Sequence, residues 1–282
     1  MNTLILLISC PDKKGITARV TQFIFSRGGN IIHADQHIDT ASDTFFMRVQ
    51  WQESGSSDPD GFREKFDAVA KEYCMDWEIF CSSLRPRVVL FVSKHLHCLY
   101  DLLWRYRAGQ FNCEIPFIVS NHEEAEHAAD SFGVGFHHVP VMAAHKADAE
   151  QYQLKLLKDA EIELVVLARY MQILSPEFIS GFSYKIINIH HSFLPAFKGA
   201  DPYRQAYEKG VKIIGATSHY VNDELDMGPI IEQDTVRVSH RDTVEDMVRK
   251  GQDLEKVVLS RAVSWHLQRK ILTYNNKTVV FD

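Results

Sequence analysis

Hydrophobic and polar residues in the first part of the chain follow two different periods. Nearly continuous apolar runs and period-two alternations predict strands, whereas apolar residues three and four positions apart predict helices. The predicted elements are a strand at 3–9, a helix from Ile16 to Gly28, strands at 30–38 and 45–51, a helix at 62–75 and a strand at 77–81. Their order along the chain is therefore βαββαβ.

A second pattern begins after Arg85-Pro86-Arg87, which is typical of a linker. From there, strand-like apolar runs alternate with helical segments. The predicted strands are 88–92, 115–120, 137–139, 162–167, 185–189, 213–220 and 230–238, and the predicted helices are 95–109, 122–132, 147–159, 175–180 and 242–270. This alternation predicts an open, mostly parallel sheet with helices on both faces, and a hairpin turn at 274–278 follows it.

Together the two patterns predict an α/β protein of two domains. Residues 1–83 form a ferredoxin-like βαββαβ module, and residues 84–282 form an open, mostly parallel, Rossmann-like domain. A length of 282 residues fits two domains.

Composition narrows the class of protein further. A hydrophobic content of 45% and a charged content of 24% are ordinary for a globular protein. A protein with a formal net charge of −6 is not expected to bind the negatively charged phosphate backbone, so no nucleic-acid partner is expected.

The five cysteines include no C-x-x-C pair and predict free thiols in a reducing cytoplasm. No apolar run has the length of a membrane span, and no basic segment precedes the run at 4–10, so neither a membrane segment nor a signal peptide is expected.

Polar side chains end one of the predicted strands. Asn188, His190 and His191 lie there, and His219 and Asp226 follow at the end of the next strand and in the loop after it. Ligands of open α/β sheets bind beyond the carboxyl ends of strands. In acyl chemistry, Asn188 could donate a hydrogen bond to a carbonyl oxygen and His190 could stabilise charge developing there. Asp226 could hold the imidazole or take a proton from water.

These residues also have simpler interpretations. A histidine at a strand end is often structural, and Asp226 could cap a turn. Residues 95–98, HLHC, lack a second pair of ligands at the usual spacing, so a solvated helix start is favoured over a metal cluster. In His137-His138 and His190-His191, neighbouring strand residues point to opposite faces. No metal site is therefore predicted.

Three segments resemble the folate-dependent formyltransferase family. They are VLARYMQILSP at 166–176, NIHHSFLP at 188–195 and GATSHYVNDELDMGPIIEQ at 215–233. The second contains the family's Asn-x-His pair, and the third contains its Asp-x-Gly-Pro loop. The resemblance covers roughly residues 86–282 and implies a folate substrate.

The resemblance also implies roles for individual side chains. Asn188 would polarise a formyl carbonyl, His190 would stabilise the tetrahedral oxyanion, and Asp226 would orient or deprotonate the attacking water. The implied substrate-binding residues are Met171, Gln172, Ile173, Leu174, His219, Asn222 and Leu225. The implied activity is hydrolysis of 10-formyltetrahydrofolate to tetrahydrofolate and formate, without a further cofactor, which would feed purine synthesis and balance one-carbon pools.

The N-terminal 80 or so residues resemble an ACT domain, a module that senses small molecules and dimerises. This resemblance implies a homo-oligomer and an amino-acid effector near Asp12, Gly15 and Asn30. The alternative is a plain turn and helix cap in a module that only oligomerises.

The turn after the strand at 88–92 departs from part of the family. Relatives that formylate glycinamide ribonucleotide carry a glycine-rich loop there, in which backbone N–H groups cradle phosphate. Here Lys94, His95 and His97 occupy the turn and glycine is absent. Bulky residues keep the backbone away from a phosphate. Water is therefore the expected acceptor, formyl transfer to a small amine is the alternative, and the lack of a basic C-terminal domain speaks against a tRNA substrate.

Overall fold

The N-terminal unit of this computed structural model is a four-stranded antiparallel sheet with two helices. The structure describes residues 3–52, 59–182, 185–195 and 202–282. The elements are β1 (Thr3–Pro11), α1 (Ile16–Ser26), β2 (Asn30–Asp39), β3 (Thr44–Gln52), α2 (Pro59–Tyr73) and β4 (Asp76–Cys81). The strands pair in the order β2-β3-β1-β4. The predicted βαββαβ arrangement is confirmed.

Both faces of β1 are buried, which explains its nearly unbroken apolar sequence. Leu4, Leu6 and Ile8 belong to a core that also contains residues of α1 and α2. Leu7 belongs to a second cluster with Phe46 of the neighbouring strand β3. Side chains alternate across a strand, so the two clusters lie on opposite faces of the sheet.

The second unit is built on a seven-stranded sheet. Its strands are β5 (Val88–Val92), β6 (Phe117–Ser120), β7 (Gly135–His138), β8 (Leu164–Leu167), β9 (Ile186–His190), β10 (Ile213–Tyr220) and β11 (Ile230–Arg237). Its helices are α3 (His97–Arg107), α4 (Glu126–Phe132), α5 (Lys146–Asp159), α6 (Pro176–Ser180), α7 (Pro202–Glu208) and α8 (Val244–Leu267), with short 3₁₀ turns at Glu123–Ala125 and Ala143–His145.

Strand order places the carboxyl ends of β8 and β9 side by side. The order is β11-β10-β9-β8-β5-β6-β7, and the strands from β9 to β7 are parallel. The pairs β9–β10 and β10–β11 are antiparallel. The prediction of an open, mostly parallel sheet is confirmed. The segments after β8 and β9 therefore meet at one edge of the sheet.

Side-chain caps fix the start of two helices in this unit. Ser175 caps α6, because its hydroxyl accepts a hydrogen bond from the Phe178 amide. At the start of α8, the Asp246 amide donates to the Thr243 hydroxyl and the Asp246 carboxylate accepts from the Thr243 amide. This reciprocal pair is a capping box. Helix α7 was not predicted, because its short sequence has too few apolar residues to show a period.

The last residues form β12 (Ile271–Tyr274) and β13 (Lys277–Val280), joined by a turn with positive φ at Asn275 and Asn276. The predicted hairpin turn is present. Residues Gln268–Tyr274 and Thr278–Asp282 group with Met1–Arg85, whereas Pro86–Leu267 and Asn275–Lys277 form the second unit. The domain bounds 1–83 and 84–282 stay predictions.

Packing on the N-terminal sheet explains why the last residues group with the first unit. Phe281 is 3% exposed and shares a cluster with Leu7 and Phe46. The buried Arg48 side chain donates hydrogen bonds to the carbonyl oxygens of Gln268 and Arg269, at 3.1 and 2.9 Å. None of the helices in the described ranges combines the length and apolarity that a membrane span needs.

Candidate active site

Asn188 and His219 meet because their strands pair directly. In the antiparallel pair of β9 and β10, Asn188 lies opposite His219. Opposite residues of such a pair bring their side chains within contact distance. The Asn188 Nδ2 atom is 3.2 Å from the His219 Nε2 atom, although 31 positions separate the residues. Strand register thus places the Asn188 amide next to the His219 imidazole.

The hydrogen bonds of His219 indicate which nitrogen carries its proton. Nδ1 lies 2.9 Å from the carbonyl oxygen of Tyr220, which can only accept, so Nδ1–H donates. In the neutral ring Nε2 is then an acceptor and receives an N–H of Asn188. This bond turns the amide group of Asn188 toward His219 and leaves its second N–H for another partner.

His190 is paired with Asp226. The His190 Nδ1 atom is 3.2 Å from the Asp226 Oδ2 atom, and the Asp226 Oδ1 atom is 3.7 Å from the His219 Nε2 atom. His190 is only 7% exposed. Its Nε2 atom is buried and has no hydrogen-bond partner among the described residues. The carboxylate therefore holds the ring by one nitrogen and leaves the other for a bound molecule.

A tight loop between β10 and β11 presents Asp226. Its φ is 56°, in the left-handed region that residues other than glycine rarely adopt. The Tyr220 amide donates to the Pro229 carbonyl oxygen at 2.9 Å and closes the base of the loop. Gly228 passes so close to the Tyr220 carbonyl that a Cβ atom there would overlap it. The loop conformation therefore requires glycine at position 228.

Asp226 is an anion near neutral pH. Burial raises the pKa of its carboxyl group, and the hydrogen bond with His190 lowers it. The net effect holds the pKa of Asp226 well below its ordinary value. A carboxylate of this kind binds a proton weakly.

A cavity of about 300 Å³ opens on these residues. That volume lies at the lower end of the range for small-molecule sites. All ten residues predicted for catalysis and substrate binding line it: Met171, Gln172, Ile173, Leu174, Asn188, His190, His219, Asn222, Leu225 and Asp226. The roles assigned to them stay predictions.

The predicted substrate-binding residues differ in exposure. Met171, Ile173 and Leu225 are 55%, 61% and 62% exposed, which is unusual for large apolar side chains. Leu174 is only 7% exposed and belongs to the core of the unit. The exposed three offer an apolar surface at the cavity, whereas Leu174 mainly supports the segment that carries them.

Two residues near the cavity had no role in the predicted site. Arg169 and His191 line it. The alternation expected of neighbouring strand residues does not separate His190 from His191, because β9 ends at His190, and the two ring centroids are 5.3 Å apart. Burial and the charge of Arg169 lower the pKa of His191 to about 4. The HH dipeptide was the only signal for His191.

The helix start predicted at 95–98 is present, because α3 begins at His97 and His95 is exposed, but the prediction that it is solvated is wrong for His97 and Cys98. Cys98 is fully buried, and the side chain of His97 is 14% exposed. The His97 Nε2 atom lies 2.7 Å from the Glu255 Oε2 atom. The partner comes from α8, 158 positions away, so local spacing could not reveal it.

His97, Cys98 and Glu255 have ligand atoms within 4.8 Å of one another. Two observations speak against a metal ion among them. Burial raises the pKa of the Cys98 thiol well above its ordinary value, which disfavours the thiolate that metals bind. The Arg169 Nε atom also lies 3.6 Å from the Glu255 Oε2 atom, so a cation would meet a guanidinium group.

The residues predicted for effector binding lie in the N-terminal unit. The Asp12 amide donates to the Asp43 carbonyl oxygen at 2.9 Å. Gly15, with φ 95°, is the residue before α1, and its carbonyl oxygen accepts from the Arg19 amide. Asn30 begins β2 and is exposed. Their effector role stays a prediction.

Two models of known protein families match this chain. Residues 86–263 match the family model described as formyl transferase, and residues 4–50 match the ACT domain. The chain is thus a formyl transferase-type protein with an N-terminal ACT domain.

Relatives that match nearly the whole chain give a more specific assignment. A formyltetrahydrofolate deformylase of Synechocystis is 54% identical over 99% of this chain and 98% of its own length, and that of Bacillus subtilis is 46% identical over 98% and 93%. The crystal structure of a formyltetrahydrofolate deformylase from Pseudomonas syringae pv. tomato superimposes with a TM-score of 0.97, with 48% identity over 100% of this chain and 95% of that one. The chain belongs to the formyltetrahydrofolate deformylase family.

Proposed function

We propose that this protein hydrolyses 10-formyltetrahydrofolate to tetrahydrofolate and formate. The observation that carries the proposal is the set of Asn188, His190 and Asp226 around one cavity, in a chain whose relatives carry the deformylase name over nearly their whole length. The exposed apolar residues of the 171–174 segment offer a surface for the flat pterin ring. No cofactor beyond the folate substrate takes part in the proposed reaction.

Asn188 and His190 activate the formyl group. The second N–H of the Asn188 amide donates to the formyl oxygen, because the first is held by His219. His190 approaches the same oxygen through Nε2, since Nδ1 faces Asp226. The Asp226 carboxylate stabilises the imidazolium form, which neutralises the negative charge that develops on oxygen in the tetrahedral intermediate.

Water then adds to the formyl carbon. Asp226 accepts a hydrogen bond from the water and orients it. A bond forms between the water oxygen and the formyl carbon, and the released proton passes through the Asp226–His190 pair to N10 of the folate. The bond between carbon and N10 breaks, the formic acid that forms loses its remaining proton to solvent, and tetrahydrofolate and formate leave. The low pKa of Asp226 makes it a poor lasting proton acceptor, so the proton resides there only transiently.

The test is an assay of the purified protein with 10-formyltetrahydrofolate and without any amine. Tetrahydrofolate and formate are followed together. Catalytic release of both in equal amounts is expected. Release that occurs only after an amine is added would replace hydrolysis by formyl transfer.

The regulatory part of the proposal concerns the ACT domain. We infer that a small amino acid binds near Asp12, Gly15 and Asn30 and that the domain helps to form a homo-oligomer. The family match supports a sensing module, and the exposed turn before α1 offers backbone amides to an α-carboxylate. Titration calorimetry with the natural amino acids, and light scattering for mass, test the two statements separately.

The proposed setting is the cytoplasm, where formate would supply purine synthesis. All five cysteines are free, which suits a reducing compartment. Fractionation of cells that make the protein, followed by the activity assay above, tests this location.

A further inference from the structure

The turn between β12 and β13 contacts the loop that carries Asp226. The Asn276 Nδ2 atom donates a hydrogen bond to the Met227 carbonyl oxygen at 2.8 Å. The Asn276 Oδ1 atom accepts a hydrogen bond from the Asn222 Nδ2 atom at 3.4 Å. One amide side chain therefore joins two points of the loop, one on each side of Asp226 in the sequence.

This bridge reaches the loop from a distant part of the chain. Two hydrogen bonds lie within the loop itself: the Glu224 amide donates to the Asn222 Oδ1 atom, and the Met227 amide donates to the Glu224 carbonyl oxygen, both at 3.2 Å. They shape the loop but join only its own residues. Asn276 is 49 positions from Met227 and belongs to the same unit of the fold. Its bonds therefore restrain the loop from outside.

Turn geometry explains why asparagine is found here, but not how Asn276 is used. Asn275 and Asn276 are the two residues between β12 and β13, and their φ values are 45° and 57°. Positive φ at both positions is the pattern of a type I′ hairpin turn, which asparagine and glycine adopt readily. Of the two side chains, only that of Asn276 hydrogen-bonds the loop within the described part of the chain.

The bridge acts on the residue next to the proposed catalytic carboxylate. Met227 follows Asp226 directly, so a shift of its carbonyl group moves the backbone of Asp226. The Asp226 Oδ2 atom lies 3.2 Å from the His190 Nδ1 atom. A displacement of about 1 Å in a reacting group can lower a rate substantially. The bridge is therefore placed to maintain the contact between Asp226 and His190.

On the basis of the proposed function, we propose that Asn276 is a positioning residue for the hydrolysis. It acts through Asp226, because its bonds to Met227 and Asn222 hold the loop where the carboxylate meets His190. An amide suits this position, since its nitrogen donates to a carbonyl oxygen while its oxygen accepts from a second side chain.

Asn276→Gly removes the bridge and keeps the turn. Asparagine followed by glycine is a favoured sequence for a type I′ turn, so the hairpin is expected to stay formed. With 10-formyltetrahydrofolate as substrate, kcat is expected to fall about five- to tenfold, because the loop loses a hydrogen-bonded restraint. A melting curve is expected to match that of the wild type, which separates this effect from unfolding.

Two matched variants accompany this substitution. Asn275→Gly makes the same change at the neighbouring position, where φ is also positive, and is expected to keep the wild-type kcat. Asn276→Asp keeps the size of the side chain and an oxygen for Asn222, but it places a second oxygen against the Met227 carbonyl oxygen. It is expected to lose at least as much activity as Asn276→Gly, because the donor is gone.

Two further measurements separate positioning from a purely structural role. Hydrogen exchange in the peptide that spans residues 222–229, measured without substrate, is expected to be faster in Asn276→Gly than in Asn275→Gly. In the Asp226→Asn background, Asn276→Gly is expected to cause no further loss of kcat, because the two substitutions affect the same interaction.

Three results would overturn the inference: a wild-type kcat in folded Asn276→Gly, equal exchange in the two glycine variants, or a full further loss of kcat in the Asp226→Asn background. Failure of the wild type to release formate would instead contradict the proposed function. The exchange measurement does not depend on turnover, so the two failures are distinguishable.

Discussion

Single side chains determine the chemistry of the candidate site. The Asp226 carboxylate contacts both His190 and His219, so one residue influences the charge of one imidazole and the surroundings of the other. Asn188 is oriented by His219 rather than by the backbone. Such mutual dependence means that a substitution at one position is expected to alter the function of the others.

Substituting Asp226→Asn is expected to lower kcat by about a thousandfold with the fold intact. The amide cannot stabilise the imidazolium of His190 or take a proton from water, and each effect contributes substantially to catalysis. Steady-state kinetics and circular dichroism check this. Asp253→Asn, at an exposed aspartate of α8, is the control and should retain wild-type activity. Full activity in folded Asp226→Asn would refute the assigned role.

His191 is expected to make stability depend on pH. Its pKa is lowered from 6.5 to about 4 in the folded protein, so between these values the unfolded state binds the proton and the folded state does not. Stability should therefore rise with pH from about 4 to 6.5, by up to about 3 kcal/mol and by less where solvent reaches the ring.

Urea unfolding across this pH range provides the measurement. In His191→Asn the rise should be smaller, since no titrating ring remains. His127→Asn, at an exposed histidine, should leave the pH dependence as it is in the wild type. Equal pH dependence in the wild type and His191→Asn would show that the ring does not contribute.

At the scale of elements, the site depends on the loop between β10 and β11. The loop has to hold Asp226 at positive φ against two histidines that come from different strands. Gly228 makes this possible, because the backbone approaches the Tyr220 carbonyl without a side chain.

Gly228→Ala is expected to lower kcat by about ten- to a hundredfold. The added methyl group overlaps the Tyr220 carbonyl, so the loop must shift, and a displacement of about 1 Å in a catalytic group has an effect of this size. Kinetics together with a melting curve distinguish displacement from unfolding. Gly181→Ala is the matched control, because its new Cβ would meet its nearest neighbour at an ordinary 3.6 Å. Unchanged kinetics in Gly228→Ala would mean that the loop position is not critical.

At the scale of the whole molecule, residues from the end of the chain pack with residues from its beginning. The C-terminal strands β12 and β13 group with the N-terminal sheet, apart from the turn between them and its flanking Lys277. Phe281 belongs to one buried cluster with Leu7 and Phe46, on the face of the sheet opposite the cluster that contains residues of α1 and α2. The N-terminal unit is therefore incomplete without residues from the end of the sequence.

Phe281→Ala is expected to destabilise this unit by about 3 kcal/mol, the usual result of removing a buried phenylalanine ring. Urea unfolding monitored by hydrogen exchange in β1 and β3 checks the change locally. Phe25→Ala removes a ring that is 72% exposed and should alter stability by no more than about 0.5 kcal/mol. Equal effects of the two substitutions would refute this packing account.

The sequence predicted most of the elements and ten of the residues that line the candidate site. Periods of two and of three to four residues record which faces of a segment are buried, so strands such as β10 and helices such as α5 were predicted nearly to their ends. The site residues were predictable because the motifs around Asn188 and Asp226 are local in the sequence.

Only the tertiary structure decided which distant residues meet. The pairing of His97 and Glu255 spans 158 positions, and the packing of Phe281 on Leu7 spans nearly the whole chain. Neither contact leaves a local pattern, because the residues that flank a histidine in the sequence do not show whether a distant segment buries it. Strand order and the contact of Asn188 with His219 arise when β9 and its neighbours assemble. The free energy of that assembly depends on contacts that a linear pattern does not contain.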